Sequence, residues 1–134
     1  MAVRYLLDTN IASYVIKGSH ATVWRRLARV PPSQIGISAV TEAELHYGLA
    51  PRPDASRLEK LVREFLLRVE VLPWNSEAAR CYGRVRAALE VEGKPMGNLD
   101  LMIASQALAA EAVLVSNNRA FSRIPDLRLE NWTK

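Results

Sequence analysis

Short apolar runs alternate with amphipathic stretches along the whole chain. The runs are four or five residues long, the length of a buried strand, and polar residues, glycine or proline bound them. They predict five strands, at 3–7, 34–38, 69–72, 113–116 and 127–130. Between them, apolar residues recur every three or four positions, as in a helix with one buried face. These stretches predict helices at about 10–17, 21–29, 41–49, 54–68, 76–92 and 99–110.

Individual residues mark the ends of several helices. Gly18 is placed to end the first helix, and Asp54 and Asn98 are predicted to cap the fourth and the last. On the fifth helix, Cys81 falls on the apolar face and is therefore expected to be a small core residue.

Strands separated by helices favour a parallel sheet, because the return between parallel strands needs a crossover that is usually helical. We therefore expect an α/β fold with a mostly parallel central sheet and helices on both faces. The chain has 134 residues and contains no internal repeat, low-complexity segment or long linker. A single domain over residues 1–134 is the expectation.

Composition narrows the classes of protein but does not select a function. The single cysteine excludes an intrachain disulfide and a cysteine-based zinc site. No apolar stretch reaches 18 residues, so we expect neither a membrane span nor secretion, and we expect a cytoplasmic location. The net charge of +4 favours a phosphate-bearing partner, although many small cytoplasmic proteins are equally basic.

Three acidic residues fall where an α/β sheet binds its ligands, outside the carboxyl ends of the strands. Asp8 directly follows the first strand, Glu44 lies early in the helix after the second, and Asp100 begins the helix before the fourth. If they converge, their mutual repulsion requires a cation, and oxygen ligands suit Mg²⁺ or Mn²⁺. Such an ion polarises a phosphodiester and lowers the pKa of bound water, so the favoured reaction is phosphodiester hydrolysis.

Each of these acids also has a purely structural explanation. Asp8 is placed to cap the first helix. Thr41 and Glu44 have the spacing of a capping box, and Asp100 complements the dipole of its helix. The residues alone leave both explanations open.

Four strings add a resemblance that covers essentially the whole chain. In order, they are LLDTN, ISAVTEAELHYG, GKPMGNLDLMIASQAL and VLVSNNRAFSRIPDLRLENW. With this order and spacing, the chain resembles the PIN-domain ribonucleases, specifically the VapC-type toxins of bacterial toxin–antitoxin pairs. The resemblance implies a parallel α/β sheet and an acidic pocket that binds Mg²⁺ or Mn²⁺ and cleaves RNA.

By position, Asp8 and Asp100 match the central metal-binding acids of that family, and Glu44 matches the third. Glu42 lies about 200° around the helix from Glu44 and is expected to point away. Where the family often has a fourth acid, this chain has Asn118. An amide ligates through its carbonyl oxygen without adding charge, so a second metal is expected to bind more weakly than the first.

Several polar residues match auxiliary positions of the family. Thr9 and Asn10 resemble groups that orient Asp8 or contact the substrate phosphate. Ser38 and Ser116, at the ends of the second and fourth strands, and Asn117 after the fourth are further candidates for this helping role.

The resemblance also implies partners. A VapB-like antitoxin is expected to pack its C-terminal segment on the chain and to place a basic side chain in the acidic pocket, where a guanidinium neutralises carboxylates. RNA is the expected substrate, and a homodimer is the expected assembly.

Two other functions remain as alternatives. A catalytically weakened RNA-binding module is one, because Asn118 replaces an acid, and nuclease assays would distinguish it. A phosphoacceptor signalling domain is the other; it needs adjacent acids after the first strand, where Asp8 is followed by Thr9 and Asn10. Labelling by a small phosphodonor would reveal the latter.

Overall fold

The computed structural model describes residues 2–52 and 55–134. Its strands are β1 Tyr5–Leu7, β2 Ile35–Ser38, β3 Glu70–Leu72, β4 Val113–Val115 and β5 Leu129–Glu130. Its α-helices are α1 Thr9–Lys17, α2 Ala21–Leu27, α3 Ala39–Leu49, α4 Ser56–Arg68, α5 Ser76–Val91 and α6 Asn98–Ala109. The strands form one sheet in the order β3-β2-β1-β4-β5, with every pairing parallel. The predicted α/β fold with a parallel sheet is confirmed.

The order of the strands creates a crevice at one edge of the sheet. The chain adds β2 and β3 on one side of β1 and then crosses to place β4 and β5 on the other. Tyr5 consequently pairs with both Ile35 and Val113. The direction of winding reverses between β1 and β4, and the carboxyl ends at such a reversal are where open α/β sheets bind ligands. Asp8 follows β1 at this point, and its N–H donates to the Val115 carbonyl at 3.0 Å.

Apolar cores lie on both faces of the sheet, as predicted. Leu6 and Leu7 are both fully buried, but consecutive side chains of a strand point to opposite faces. Leu7 joins the core beneath α1, α2 and α4, where it packs with Ile11, Val15, Val23, Val62 and Phe65. Leu6 joins the core beneath α5 and α6, where it packs with Val85, Leu89, Leu101, Ile103 and Ala104. The sheet is therefore shielded from water on both sides, which suits parallel strands.

The helix boundaries agree with the sequence in some places and differ in others. Gly18 ends α1 in the left-handed conformation, with φ of 63°, as predicted. Asn98 is not a cap: the extended residue before α6 is Gly97, and Asn98 is the first residue of the helix. Cys81 is half-buried at the side of α5 rather than in the core, because the buried face of α5 is narrow and consists of Ala78, Val85 and Leu89. The predicted cap Asp54 lies outside the described residues.

Several predicted elements are shorter in the structure, and β1, β5 and α2 are each shorter by two residues. β1 begins at Tyr5 rather than residue 3, β5 begins at Leu129 rather than residue 127, and α2 ends at Leu27 rather than residue 29. Val3 and Leu127 still contribute apolar contacts, but they lie outside the paired strands. In the part of the chain that the structure describes, no helix combines the length and apolar character needed to cross a membrane.

Candidate active site

Asp8 is a buried carboxylate that also caps a helix. Its side chain is 5% exposed, and Oδ1 accepts a hydrogen bond from the Ile11 N–H at 2.9 Å at the start of α1. Burial raises the pKa of Asp8 above its ordinary value, hydrogen bonds from Ser116 and Ile11 oppose that rise, and the charges of Asp100 and Glu44 add to it. The structural and chemical explanations of this residue are therefore compatible, since one oxygen caps the helix while the carboxylate faces other anions.

Hydroxyl groups on two helices hold Glu44. The Thr9 hydroxyl, at the start of α1, donates to Glu44 Oε1, and Thr9 Oγ1 lies 3.2 Å from Thr41 Oγ1. Thr41 is fully buried on α3, so this pair of threonines fixes the position of the carboxylate. The capping-box explanation of Glu44 is wrong, because α3 begins at Ala39 and its cap is Ser38.

Asp100 lies in the first turn of α6, facing the same edge of the sheet. Burial raises its pKa above the ordinary value, and the charge of Glu44 raises it further. The side-chain N–H of Asn118 donates to Asp100 Oδ2 at 3.5 Å. The charge of Glu44 raises the pKa of both Asp8 and Asp100, and the charge of Asp100 raises that of Asp8, so the three carboxylates share one electrostatic environment.

The segment after β4 supports these acids rather than adding another charge. Ser116 is buried and accepts a hydrogen bond from the Asn118 N–H at 2.9 Å while it bonds to Asp8. The amide oxygen of Asn118 accepts from the Ala120 N–H at 3.0 Å and so caps the short 3-10 helix Arg119–Arg123. In this conformation the side-chain N–H of Asn118 donates to Asp100, and its side-chain carbonyl oxygen accepts from the backbone N–H of Ala120.

The remaining predicted helpers differ in burial and in their hydrogen-bond partners. Asn10 is exposed and lines a cleft together with Thr9. Asn117 is exposed, and its amide donates to the Tyr14 hydroxyl at 3.4 Å. Ser38 is fully buried and donates to Gln106 Oε1 at 2.9 Å, which makes it a structural link between α3 and α6.

The donor set has the chemistry of a site for a hard divalent cation, although it does not form a closed cage. Among residues 2–52 and 55–134, no group of three or more His, Cys, Asp or Glu side chains is arranged to hold an ion directly. Mg²⁺ is bound in proteins through one or two carboxylates and retains several waters. Carboxylates that do not surround an ion but still repel one another therefore suit a cation that keeps part of its water shell better than one bound by protein ligands alone.

Comparison with known proteins identifies the family. A family model described as PIN domain matches residues 5–127. The chain belongs to the PIN-domain family. Ribonuclease VapC2 of Rickettsia felis is 39% identical to it over 132 residues, which are 97% of this chain and 98% of that protein. A tRNA(fMet)-specific endonuclease VapC of Shigella flexneri is 36% identical over 98% of this chain and 99% of its own length.

Solved structures show the same relationship. A chain in the crystal structure of DNA-bound VapBC from Salmonella typhimurium matches this PIN domain with a TM-score of 0.90 and 37% identity, covering 97% of this chain and 98% of that one. The predicted resemblance to VapC-type PIN domains is confirmed, and the family is one of ribonucleases.

One residue that holds this site in the PIN domain was not predicted from the sequence for that role. The sequence pattern indicates only a helix-capping role for Thr41, yet its hydroxyl is buried against Thr9 and supports Glu44. A signal does exist, because Thr41 lies three residues before Glu44 and therefore on nearly the same face of α3. Recognising it also requires knowing that α1 packs against α3, which is a tertiary contact.

Proposed function

We propose that this PIN domain is a Mg²⁺- or Mn²⁺-dependent endoribonuclease toxin that hydrolyses RNA phosphodiester bonds. One observation carries the proposal: Asp8, Glu44 and Asp100 are distant in sequence, yet at the β1–β4 crevice the charge of Glu44 is close enough to raise the pKa of both aspartates. Divalent cations are the general cofactors of PIN-domain nucleases, and the two relatives are named a ribonuclease and a tRNA(fMet)-specific endonuclease.

The roles of the residues follow from their contacts. Asp8 and Asp100, with Glu44, would hold the divalent cation, which when bound polarises the scissile phosphate and lowers the pKa of water. The Thr9 hydroxyl restrains Glu44, so that this carboxylate is positioned before the ion and substrate arrive. Asn118 restrains Asp100 in the same way through its side-chain N–H. Asn118 also remains a proposed ligand, and its carbonyl would have to turn from the backbone to serve as one.

A matched pair of glutamates provides the test of this activity. Glu44→Gln and Glu42→Gln make the same chemical change on the same helix, but Glu42 bonds to His46 at 3.4 Å on the outside of α3. We expect Mg²⁺-dependent cleavage by wild type, a loss of at least about 100-fold in Glu44→Gln, and normal rates in Glu42→Gln. An initiator tRNA is the first substrate to test, because the Shigella flexneri relative is named for it.

The outcome also distinguishes the weakened-module alternative, which Asn118 favours because an amide replaces an acid. RNA binding without cleavage at any Mg²⁺ or Mn²⁺ concentration would contradict the enzyme proposal and support that alternative. Equal cleavage by Glu44→Gln and wild type would contradict the assigned site.

A VapB-like antitoxin is the proposed protein partner, because the matched solved structures are VapBC complexes. An apolar cavity of about 250 Å³ between α1, α2 and α4 is the proposed seat of its apolar side chains, and Trp24 and Leu27 line it. A basic antitoxin side chain would neutralise the carboxylates, as a guanidinium does in a bidentate pair. Trp24 is 43% exposed, so burial by the antitoxin should change its fluorescence.

Co-expression tests this partner. We expect the chain alone to arrest growth in the cytoplasm, the proposed site of action, and an adjacent antitoxin gene to relieve the arrest. Leu27→Asp should weaken the complex, whereas Leu67→Asp, which changes an 82% exposed leucine on α4, should not. Equal weakening by both variants would contradict this use of the cavity.

We also propose that the active form is a homodimer, which light scattering would show as twice the 15.0 kDa chain mass.

A further inference from the structure

A second cleft leads away from the carboxylates between two helices. It has a volume of about 210 Å³, and Thr9 and Glu44 lie at its acidic end. α1 and α3 both begin at the carboxyl edge of the sheet, because each directly follows a parallel strand. The cleft therefore begins at that edge and follows the two helices away from it. Its other end is basic, since Lys17 ends α1 and Arg52 follows α3.

The length of the cleft suits a polymer rather than a single small ion. Lys17 is eight residues along α1 from Thr9, which corresponds to about 12 Å along the helix axis. A group at the acidic end and a group at the basic end are thus too far apart for one phosphate to contact both. A chain of linked phosphates is the chemistry that reaches both ends.

The lining of the cleft combines an apolar floor with polar walls. Leu45 and Leu49 of α3 and Val62 of α4 form part of the floor, and Ser13 offers a hydroxyl from α1. Gly48 lines the cleft beside open space, because a Cβ at this position would have no atom within 4 Å. Apolar surface beside hydroxyl and cationic groups is the environment that a base and its sugar-phosphate need.

We propose that this cleft binds the RNA strand beside the scissile bond, with Lys17 and Arg52 contacting two flanking phosphates. The inference rests on the proposed ribonuclease function, because the strand must cross the carboxylates to enter the cleft. Three carboxylates repel a polyanion, so cations further along the strand path are needed to retain the substrate. The cleft supplies two of them in direct continuity with Thr9 and Glu44.

Lys17 also has a structural explanation, because a cation in the last turn of α1 complements the helix dipole. That role would change the melting temperature when the lysine is neutralised. It would not change the dependence of RNA binding on salt, which counts phosphate contacts. The salt dependence is therefore the informative measurement.

The test is the binding of a fluorescent single-stranded RNA by anisotropy between 50 and 200 mM salt. Each protein carries Asp100→Asn so that the RNA stays intact. We expect Lys17→Gln with Arg52→Gln to reduce the slope of log affinity against log salt by about 1.4, the value for two phosphate contacts on a single strand. Raising the salt from 50 to 200 mM should then reduce the RNA affinity of this double variant by a factor about sevenfold smaller than it does for the unneutralised protein.

Neutralisation of Arg80 and Arg84 is the matched control. Both are exposed on α5, and their replacement by glutamine changes the net charge equally, away from the cleft. An equal change of slope in both double variants would overturn the inference, because it would show an effect of overall charge. Absence of RNA binding in the unneutralised protein would overturn it as well.

A steric test uses two glycines. Gly48 and Gly83 both lie inside helices with open space where a side chain would begin, but of the two only Gly48 lines the cleft. We expect Gly48→Leu to raise the KM for RNA cleavage about tenfold with little change in kcat, and Gly83→Leu to change neither. Both variants should melt at the same temperature as wild type or higher, because leucine has a higher helix propensity than glycine. Equal KM values in the two variants would contradict the proposed path of the strand.

The two proposals fail in distinguishable ways. RNA cleavage by wild type with no change of KM or salt slope on neutralising Lys17 and Arg52 would refute the cleft and leave the ribonuclease function standing. RNA binding with the expected change of slope, but no cleavage by wild type, would refute the enzyme and leave the cleft standing.

Discussion

Asp8 contributes to stability in two opposite ways, and a pair of substitutions separates them. Its Oδ1 caps α1 through the Ile11 N–H, which stabilises the fold, whereas the burial of its charge beside Asp100 and Glu44 destabilises it. Asp8→Asn keeps an oxygen for the cap and removes the charge. Asp8→Ala removes both.

The size of the difference follows from the cap. Loss of an N-cap side chain costs about 0.5–2 kcal/mol, and an Ile11 N–H left without a partner in a buried site brings the total to about 1–3 kcal/mol. For a chain of 134 residues, 1 kcal/mol corresponds to about 3.6 °C in melting temperature. Asp8→Ala should therefore melt about 4–11 °C below Asp8→Asn.

Differential scanning calorimetry at pH 7 in EDTA measures this order directly. We expect Asp8→Asn to melt above wild type, because the buried charge is gone and the cap remains. Added Mg²⁺ at about 100 times its Kd should then stabilise wild type by about 2.7 kcal/mol and leave Asp8→Asn unchanged. If metal-free Asp8→Asn melts below wild type, the proposed electrostatic cost of Asp8 is refuted.

Three further predictions concern other positions. In metal-free protein, Asp100→Asn should be more stable than wild type at pH 7. The folded-state pKa of Asp100 is raised, so wild type gains stability as the pH falls through that pKa. Thermal scans from pH 7 to 4 should therefore show the two melting temperatures approaching each other. Asn118→Asp places a carboxylate beside Asp100, so calorimetric titration should show that this variant binds Mn²⁺ about tenfold more tightly than wild type does. An unchanged affinity would argue against a metal site at this edge of the sheet. Gly36→Ala should lose about 1–3 kcal/mol in urea unfolding, because a Cβ there would lie 2.9 Å from the Val3 side chain, whereas Gly48→Ala should lose none.

The parallel sheet could be predicted because its signal is local and repeated. Each strand is a short apolar run, and each crossover carries a helical period, so the sequence predicts all five strands and six α-helices of residues 2–52 and 55–134. Their ends were less predictable. Asn98 and Gly97 both suit the residue before a helix, and the choice between them depends on the backbone that enters α6. The 3-10 helices Pro32–Gln34 and Arg119–Arg123 are too short to have a period and were not predicted.

The acids of the candidate site could be located because they follow strand ends, and parallel strands bring those ends to one edge. Their supporting contacts could not. Thr41 meets Thr9 only because α3 packs on α1, and Asn118 meets Asp100 only because the turn after β4 reaches the start of α6. Such contacts join distant parts of the chain and leave no periodic signal in the sequence.

Whether the three carboxylates bind a common divalent cation is tested most directly by Mn²⁺ titration followed by electron paramagnetic resonance. Free Mn²⁺ gives a strong signal that is lost on binding, so the method counts ions without requiring RNA. We predict saturable binding to wild type and to Glu42→Gln, and its loss in Glu44→Gln and in Asp100→Asn. Equal Mn²⁺ binding by all four proteins would contradict a shared site at the edge of β1 and β4.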